Sequence, residues 1–364
     1  MNDLEHQLKD MSVEGKLYRK VPNKPDRIQC YACAHYCSIK EGKRGICRVR
    51  YNENGKLMVP NGYVAALQGD PIEKKPFYHF LPNTLALSFG MFGCDLHCGY
   101  CQNWDISQAL RDPDAVRNVR ILSPTDIVNY AIKTDSRSVV STYNEPLITS
   151  EWAVEVFKEA RKNNLSTGFV SNGNSTPEVL DFIRPYTDAY KIDLKSFNQK
   201  NYGKLGANLE KILKSIENVY NKGFWLEIVT LLIPGFNNSA DEIQQMAEFI
   251  AGVSVDIPWH ITAFHKDYNM RDPENTKPEQ LIEAAEIGVK AGINFIYPGN
   301  VHGRVGDWEN TNCPNCKTIL VERIGFRVIS YNLSDDGRCP SCDEVIPGKW
   351  ETPKERKSLF KFLT

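Results

Sequence analysis

Between residues 84 and 300, short apolar runs alternate with amphipathic stretches, and few folds accept such a series. Seven runs read as strands: TLALSFG (84–90), SVVSTY (138–143), STGFVS (166–171), DAYKIDL (188–194), WLEIVTLLI (225–233), PWHITAF (258–264) and INFIYP (293–298). Helical stretches separate most of them. Ser123-Pro124-Thr125-Asp126 predicts a helix start, with Ser as N-cap and Pro in the first helical position. Ser239-Ala240-Asp241-Glu242 predicts a capping box. Helices beginning at Leu209 and Pro278 are expected to stop at Gly223 and Gly292. Serial βα units imply a parallel sheet with helices packed outside it. Six or seven units are too few for a complete eightfold barrel. The expected fold is therefore α/β, an incomplete (β/α)6-like parallel barrel. A doubly wound open sheet is the alternative, because strand count alone does not separate the two.

The chain has 364 residues, enough for the barrel and two smaller modules. Residues 1–80 are expected to form an N-terminal module with a hairpin at RYNENGKLMV, where Asn52-Glu53-Asn54-Gly55 lie between apolar flanks. The barrel is placed at 81–308 and a C-terminal module at 309–364. A net charge of −1 offers nothing to attract nucleic acid or an anionic membrane. The opening MNDLEHQLKDMSVEGKLYRK is charged throughout and lacks the apolar run of a secretory signal. No stretch approaches the ~20 apolar residues that span a bilayer. These features predict a cytoplasmic protein.

The eleven cysteines are grouped: four in residues 30–47, three in 94–101 and four in 313–342. Structural disulfides are rare in the cytoplasm, so the grouping argues for three metal sites. Cys313-Pro-Asn-Cys316 and Cys339-Pro-Ser-Cys342 are separated by 22 residues, the spacing of a closed four-thiolate site. Zinc suits it, and a rubredoxin-like single iron has the same ligand geometry. The set Cys30, Cys33, Cys37 and Cys47 also offers four thiolates. Zinc is the first expectation there and an auxiliary [4Fe–4S] cluster the alternative.

The middle group, GCDLHCGYCQN, stops at three: Cys94, Cys98 and Cys101 in a C-x3-C-x2-C spacing. It begins where the first barrel strand ends, and the carboxyl ends of parallel strands are where ligands collect. A [4Fe–4S] cluster normally takes four cysteines, so three leave one iron open to a substrate or cofactor. A zinc ion with one open position, drawing on His97, is the competing reading; His97 lies beside Cys98, where its ring tends to point elsewhere.

The loop, including Tyr100 before the last cysteine, resembles the signature of the radical SAM superfamily. The resemblance implies that S-adenosylmethionine (SAM) chelates the fourth iron. It also implies that one electron from the reduced cluster breaks the C5′–S bond, giving methionine and a 5′-deoxyadenosyl radical that removes hydrogen from a substrate. TYNEP (142–146) stands where the family often has Gly-Gly-Glu-Pro; Glu145 and Pro146 match, whereas Tyr143 and Asn144 replace the glycines. Ser171 and Asn172 are similar to a polar stretch near the methionine moiety. Asp193 and Lys195 are similar to the Asp-x-Lys of glycyl-radical-enzyme activases. Two apart on a strand, they share a face and would both look into the barrel. His260 resembles the histidine of the activases' Pro-Tyr-His and is expected to contact SAM. Tyr78, His79 and His265 are further candidates near the substrate. Catalytic residues beyond these cofactor contacts are not assigned, because hydrogen-atom transfer needs no acid or base.

Together with CYACAHYCSIKEGKRGICRVR, DPIEKKPFYHFLPN and the terminal CPNC…GRCPSC, the match over about residues 28–350 looks like the AmmeMemoRadiSam-system radical SAM enzymes, relatives of pyruvate formate-lyase activating enzyme. This implies an electron donor such as ferredoxin or flavodoxin, and a protein substrate among Memo-like or AMMECR-like proteins. A glycyl-radical activase proper and a non-catalytic zinc-ribbon interaction protein are the alternatives.

Overall fold

The computed structural model describes residues 3–115 and 118–351. The last part of the expected C-terminal module, 352–364, lies outside the described residues.

The main sheet has eight strands: β1 (Ala66–Pro71), β2 (Leu85–Gly90), β3 (Ser136–Ser141), β4 (Ser166–Ser171), β5 (Ala189–Asp193), β6 (Trp225–Leu232), β7 (Trp259–Ala263) and β8 (Ile296–Gly299). They lie side by side in chain order. β2 to β8 are parallel to one another, and β1 pairs antiparallel with β2. Six helices make the crossovers: α1 (Pro124–Lys133), α2 (Ser150–Lys162), α3 (Pro177–Ile183), α4 (Leu209–Asn221), α5 (Ala240–Val253) and α6 (Pro278–Lys290). A doubly wound sheet must reverse its strand order at a switch point. This order never reverses, so that alternative is excluded. Among the described residues no pairing joins β8 to β1 or β2, so the sheet stays open.

Strand alternation sorts the two faces. Leu87, Phe89, Val139, Phe169, Tyr190, Ile192, Ile228 and Ile261 share one core with helix residues such as Val128, Phe157, Leu180, Ile216, Met246 and Leu281. The opposite face starts with small residues, Ala86, Val140 and Ala189, and these admit Phe77, Phe80 and Leu81 from the segment after β1. The tail closes the same amino-terminal edge: Leu81 N donates to Lys349 O (2.8 Å), and Lys349 Nζ to Ser166 Oγ at the start of β4 (2.7 Å). The carboxyl edge is left for loops.

Local signals explain the element ends. Ser123 is the expected N-cap, and with Asp126 it forms a full capping box. Ser239 caps α5, but the carboxylate of Glu242 turns away to accept from Ser196 Oγ and Phe197 N, so the reciprocal half is missing. The hairpin 51–60 turns through Asn54 (φ 55°) and Gly55 (φ 72°), a two-residue loop. The expected boundary at residue 81 cuts through the structure. β1 belongs to the main sheet, and Leu17, Ile28, Ile39, Leu57 and Val59 share the core of the crossover helices. No helix among the described residues is long and apolar enough to cross a membrane.

Candidate functional site

The cysteine loop leaves β2 at Gly90. A Cβ there would lie 2.6 Å from Thr142 O, so the turns after β2 and β3 approach as only glycine permits. Gly93 has φ 97°, and a Cβ there would lie 3.1 Å from Cys47 O. Met91 N is held by Asn144 Oδ1 at 3.1 Å. Leu96 N donates to Cys94 Sγ (3.4 Å), and Cys101 Sγ lies 3.2 Å from Ser107 Oγ. Burial pushes the Cys98 thiol up to about 11, so a thiolate there needs bound positive charge. His97 turns aside: its ring lies against Gly206.

Polar residues tie the loop to the neighbouring turns. Asp95, fully buried, accepts from Asn172 Nδ2 (2.7 Å) and Asn174 Nδ2 (2.8 Å). Glu145 accepts from Leu147 N (3.1 Å), Ser171 Oγ (2.8 Å) and Asn172 N (2.7 Å), joining the turn after β3 to the turn after β4. Burial and then the charge of Asp95 push the Glu145 carboxyl up to about 8. Asn144, Glu145, Ser171 and Asn172 thus act on one another and on the loop. Tyr143 sits at φ 74°, costly for a residue with a side chain; Lys75 Nζ donates to its hydroxyl (3.0 Å) and lies over its ring.

The next strand supplies charge. Lys191, Asp193 and Lys195 alternate along the β5 direction, and both ammonium groups donate to the Asp193 carboxylate, Lys195 Nζ at 2.8 Å. Burial opposes ionisation of Asp193, but the two lysines outweigh it and hold the carboxyl well below its ordinary range. Burial likewise lowers Lys191, whereas Lys195 stays raised because Asp193 and then Cys98 outweigh its burial. Two cations against one anion leave a net positive charge, and Lys195 and Cys98 sense each other directly.

A loop after β7 covers the cysteines. His265 lies 2.9 Å from Gln102 Nε2, Asn269 N donates to Gly99 O (2.9 Å), and Trp104 stacks on Tyr268 at 5.0 Å. Tyr100 is buried against Phe236. His260 sits farther along the sheet. It shares the inner face, but Nε2 meets Glu227 Oε2 at 2.7 Å and its ring neighbours are Tyr78 and Tyr297. Glu227 also receives Tyr78 N and His79 N, and His79 Nε2 meets Tyr297 OH (2.6 Å). With Arg323 over the Tyr78 ring, this network joins the sheet to the C-terminal module and involves no residue of the cysteine loop. A buried carboxylate under β6 claims His260, Tyr78 and His79 as its own donors and neighbours.

The two four-cysteine sets differ. Cys313, Cys316, Cys339 and Cys342 have all their sulfurs within 4.8 Å of one another. Cys313–Cys342 and Cys316–Cys339 are 3.6 and 3.5 Å apart. A tetrahedral ion with metal–sulfur bonds of about 2.3 Å sets its thiolates about 3.8 Å apart, so the set fits one ion. The knuckles are built alike: Lys317 N and Asp343 N return to Cys313 O and Cys339 O, each at a positive φ (64° and 63°). No three of Cys30, Cys33, Cys37 and Cys47, nor the three loop cysteines, lie that close among the described residues. Cys30, Cys33 and Cys47 are buried free thiols and Cys37 is partly buried. Asp95, Lys191, Asn174 and His35 were not singled out by sequence; the K-x-D-x-K alternation was the available signal for Lys191.

Residues 89–250, from the end of β2 through most of α5, match the sequence pattern of the radical SAM superfamily. An uncharacterized protein of Methanocaldococcus jannaschii is 36% identical over 337 residues, 92% of this chain and 98% of its own. A pyruvate formate-lyase-activating enzyme of Staphylococcus aureus is 23% identical over 239 residues, 58% of this chain and 88% of its own. Three thiols at the carboxyl edge of the first parallel strand, inside the matched region, agree with these similarities, and the chain belongs to the radical SAM superfamily.

Proposed function

We propose that this chain is a radical SAM enzyme of the AmmeMemoRadiSam group, built on an incomplete (β/α)6-like barrel and acting on a protein substrate, with Memo-like or AMMECR-like proteins as the first candidates. The observation that carries the reading is the loop itself. Cys94, Cys98 and Cys101 leave the carboxyl edge of β2 spread wider than one ion would hold them, beside a lysine-rich polar floor. Cys94, Cys98 and Cys101 would hold a [4Fe–4S] cluster, which would supply the one electron that reductive cleavage of SAM requires.

The protein's part is to position and shield. Asn144 fixes the start of the loop through Met91 N, and Asp95, directly after Cys94, ties the loop to Asn172 and Asn174. The positive balance of Lys191, Asp193 and Lys195 suits the SAM carboxylate or a substrate anion, and Asp193 can accept from ribose hydroxyls. The 265–270 loop, with Tyr268 on Trp104, excludes water from the loop cysteines. The C-terminal four-cysteine set takes zinc and anchors the tail.

The test is electron paramagnetic resonance of anaerobically loaded, reduced protein. Addition of SAM should shift the signal of the loop cluster, and Cys98→Ser should abolish that SAM-dependent shift; an unshifted signal from a loaded loop contradicts SAM binding at the open iron. A second reading, activation of a glycyl-radical enzyme, draws on the activating-enzyme relative. A stable glycyl signal on a partner protein would favour it, whereas a mass change on a Memo-like protein without that signal favours the first.

A further inference from the structure

We propose that Cys30, Cys33, Cys37 and Cys47 bind a second iron–sulfur cluster, of the four-iron class, which hands electrons to the cluster of the Cys94–Cys98–Cys101 loop. The electron acceptor in this proposal rests on the function proposed above; the site assignment stands on its own geometry.

The four cysteines form one nest. Cys30 N donates to Cys37 O (3.0 Å), and Tyr36 N closes a turn on Cys33 O (3.1 Å). A Cβ on Gly45, in the turn that carries Cys47, would touch Cys37 Sγ at 3.6 Å. Cys30, Cys33 and Cys47 are buried and Cys37 is partly so, all as free thiols. Yet no three of these sulfurs come within 4.8 Å of one another, whereas all four of the C-terminal set do. One ion draws its thiolates together; a four-iron cube holds each on a different iron and keeps them farther apart. Arg50 completes the nest. Its buried guanidinium donates to Cys30 Sγ (3.8 Å) and to Ile148 O (2.7 Å) and pairs with Glu151, setting positive charge where thiolates and sulfide need it.

The nest is joined to the SAM loop. His35, between Cys33 and Cys37, places Nε2 3.2 Å from Asp95 O and 3.7 Å from Asp95 Oδ2, and Asp95 directly follows Cys94. Ala34 N donates to Asn174 O (2.9 Å), and Cys47 O lies against Gly93. A short run of covalent and hydrogen bonds therefore links the two sets. The electron count is simple. A low-potential one-electron carrier protein reduces the N-terminal cluster from [4Fe–4S]2+ to [4Fe–4S]+; that cluster returns to 2+ as the loop cluster goes from 2+ to +. No proton or bond change is required.

The full chain would be loaded anaerobically with 57Fe and sulfide, and iron, sulfide and zinc counted beside Mössbauer and paramagnetic resonance spectra. Wild type should hold about eight irons and about one zinc. A variant with Cys94→Ser, Cys98→Ser and Cys101→Ser should keep about four irons and a reducible cluster signal. About two zinc ions per chain, with no sulfide in that variant, overturns the site while leaving the function proposed above intact. SAM left uncleaved by protein carrying both clusters has the reverse meaning. Because replacing buried cysteines can unfold the segment, the wild-type iron count serves as the independent measure. For the relay, replacing all four N-terminal cysteines by Ser should slow reduction of the loop cluster by a flavodoxin-type donor about tenfold or more. An equal rate, with the loop cluster intact, overturns the relay.

Discussion

Glu145 shows how much of the site is held by one buried carboxyl group. Three donors converge on it, yet burial and the nearby Asp95 keep its pKa near 8. The unfolded chain ionises this group near pH 4.5, so between there and about pH 8 the folded state holds the extra proton. Stability from this residue is full below the unfolded value and falls as pH rises toward the folded one. Relative to Glu145→Gln, the wild type should lose up to about 1.4 kcal/mol per pH unit across that window, read from urea unfolding at pH 5 to 8. Parallel curves for the two proteins would remove the buried proton from the account. The charged residues on β5 mark how far single residues were legible. Asp193 and Lys195 stood out because they resemble a known pair. Lys191, on the same face two residues earlier, did not, although the same alternation marks it. For His260 a strand pattern shows the inward face but not the partner on it, and here that partner is Glu227.

At the scale of elements, the parallel strands were legible because each is a short apolar run between strong punctuation, such as Gly223 before β6 and Gly292 before β8. β1 was not. ALQGDP contains Gly69 and ends in Pro71, which weaken a strand signal, and it survives as an edge strand against β2. The C-terminal knuckles were fully visible as spacing, but their second role was not. Past Cys342 the chain runs on to Lys349 and Trp350, which dock on the amino-terminal edge of the sheet at Leu81, His79 and Ser166. A metal that folds the knuckles therefore also fastens the tail. Treatment with a zinc chelator should raise hydrogen exchange at residues 311–350 and at the amino ends of β4 and β6, with the cysteine loop changing least. Loss of protection confined to the knuckles would separate the tail's docking from the metal.

Over the whole molecule, the chemistry is gathered at one edge of the sheet and the closure at the other. The singly wound strand order makes this possible, because the carboxyl ends of β2 to β8 all open on the same side while residues 72–83 and the tail fill the opposite end. Three cysteine sets are distributed over this frame, and in the C-terminal one all four sulfurs lie within 4.8 Å of one another, close enough for a single ion. That closeness was invisible in spacing alone, since four thiols in a row of turns suit either metal centre. The central claim is that the three-thiol loop carries a cluster with one iron free for SAM. It is tested most directly by mixing the full chain, loaded anaerobically, with SAM and dithionite and separating the products. The account predicts methionine and 5′-deoxyadenosine in equal amounts, both lost in Cys98→Ser. Intact SAM over protein whose loop cluster is present and reduced would contradict it.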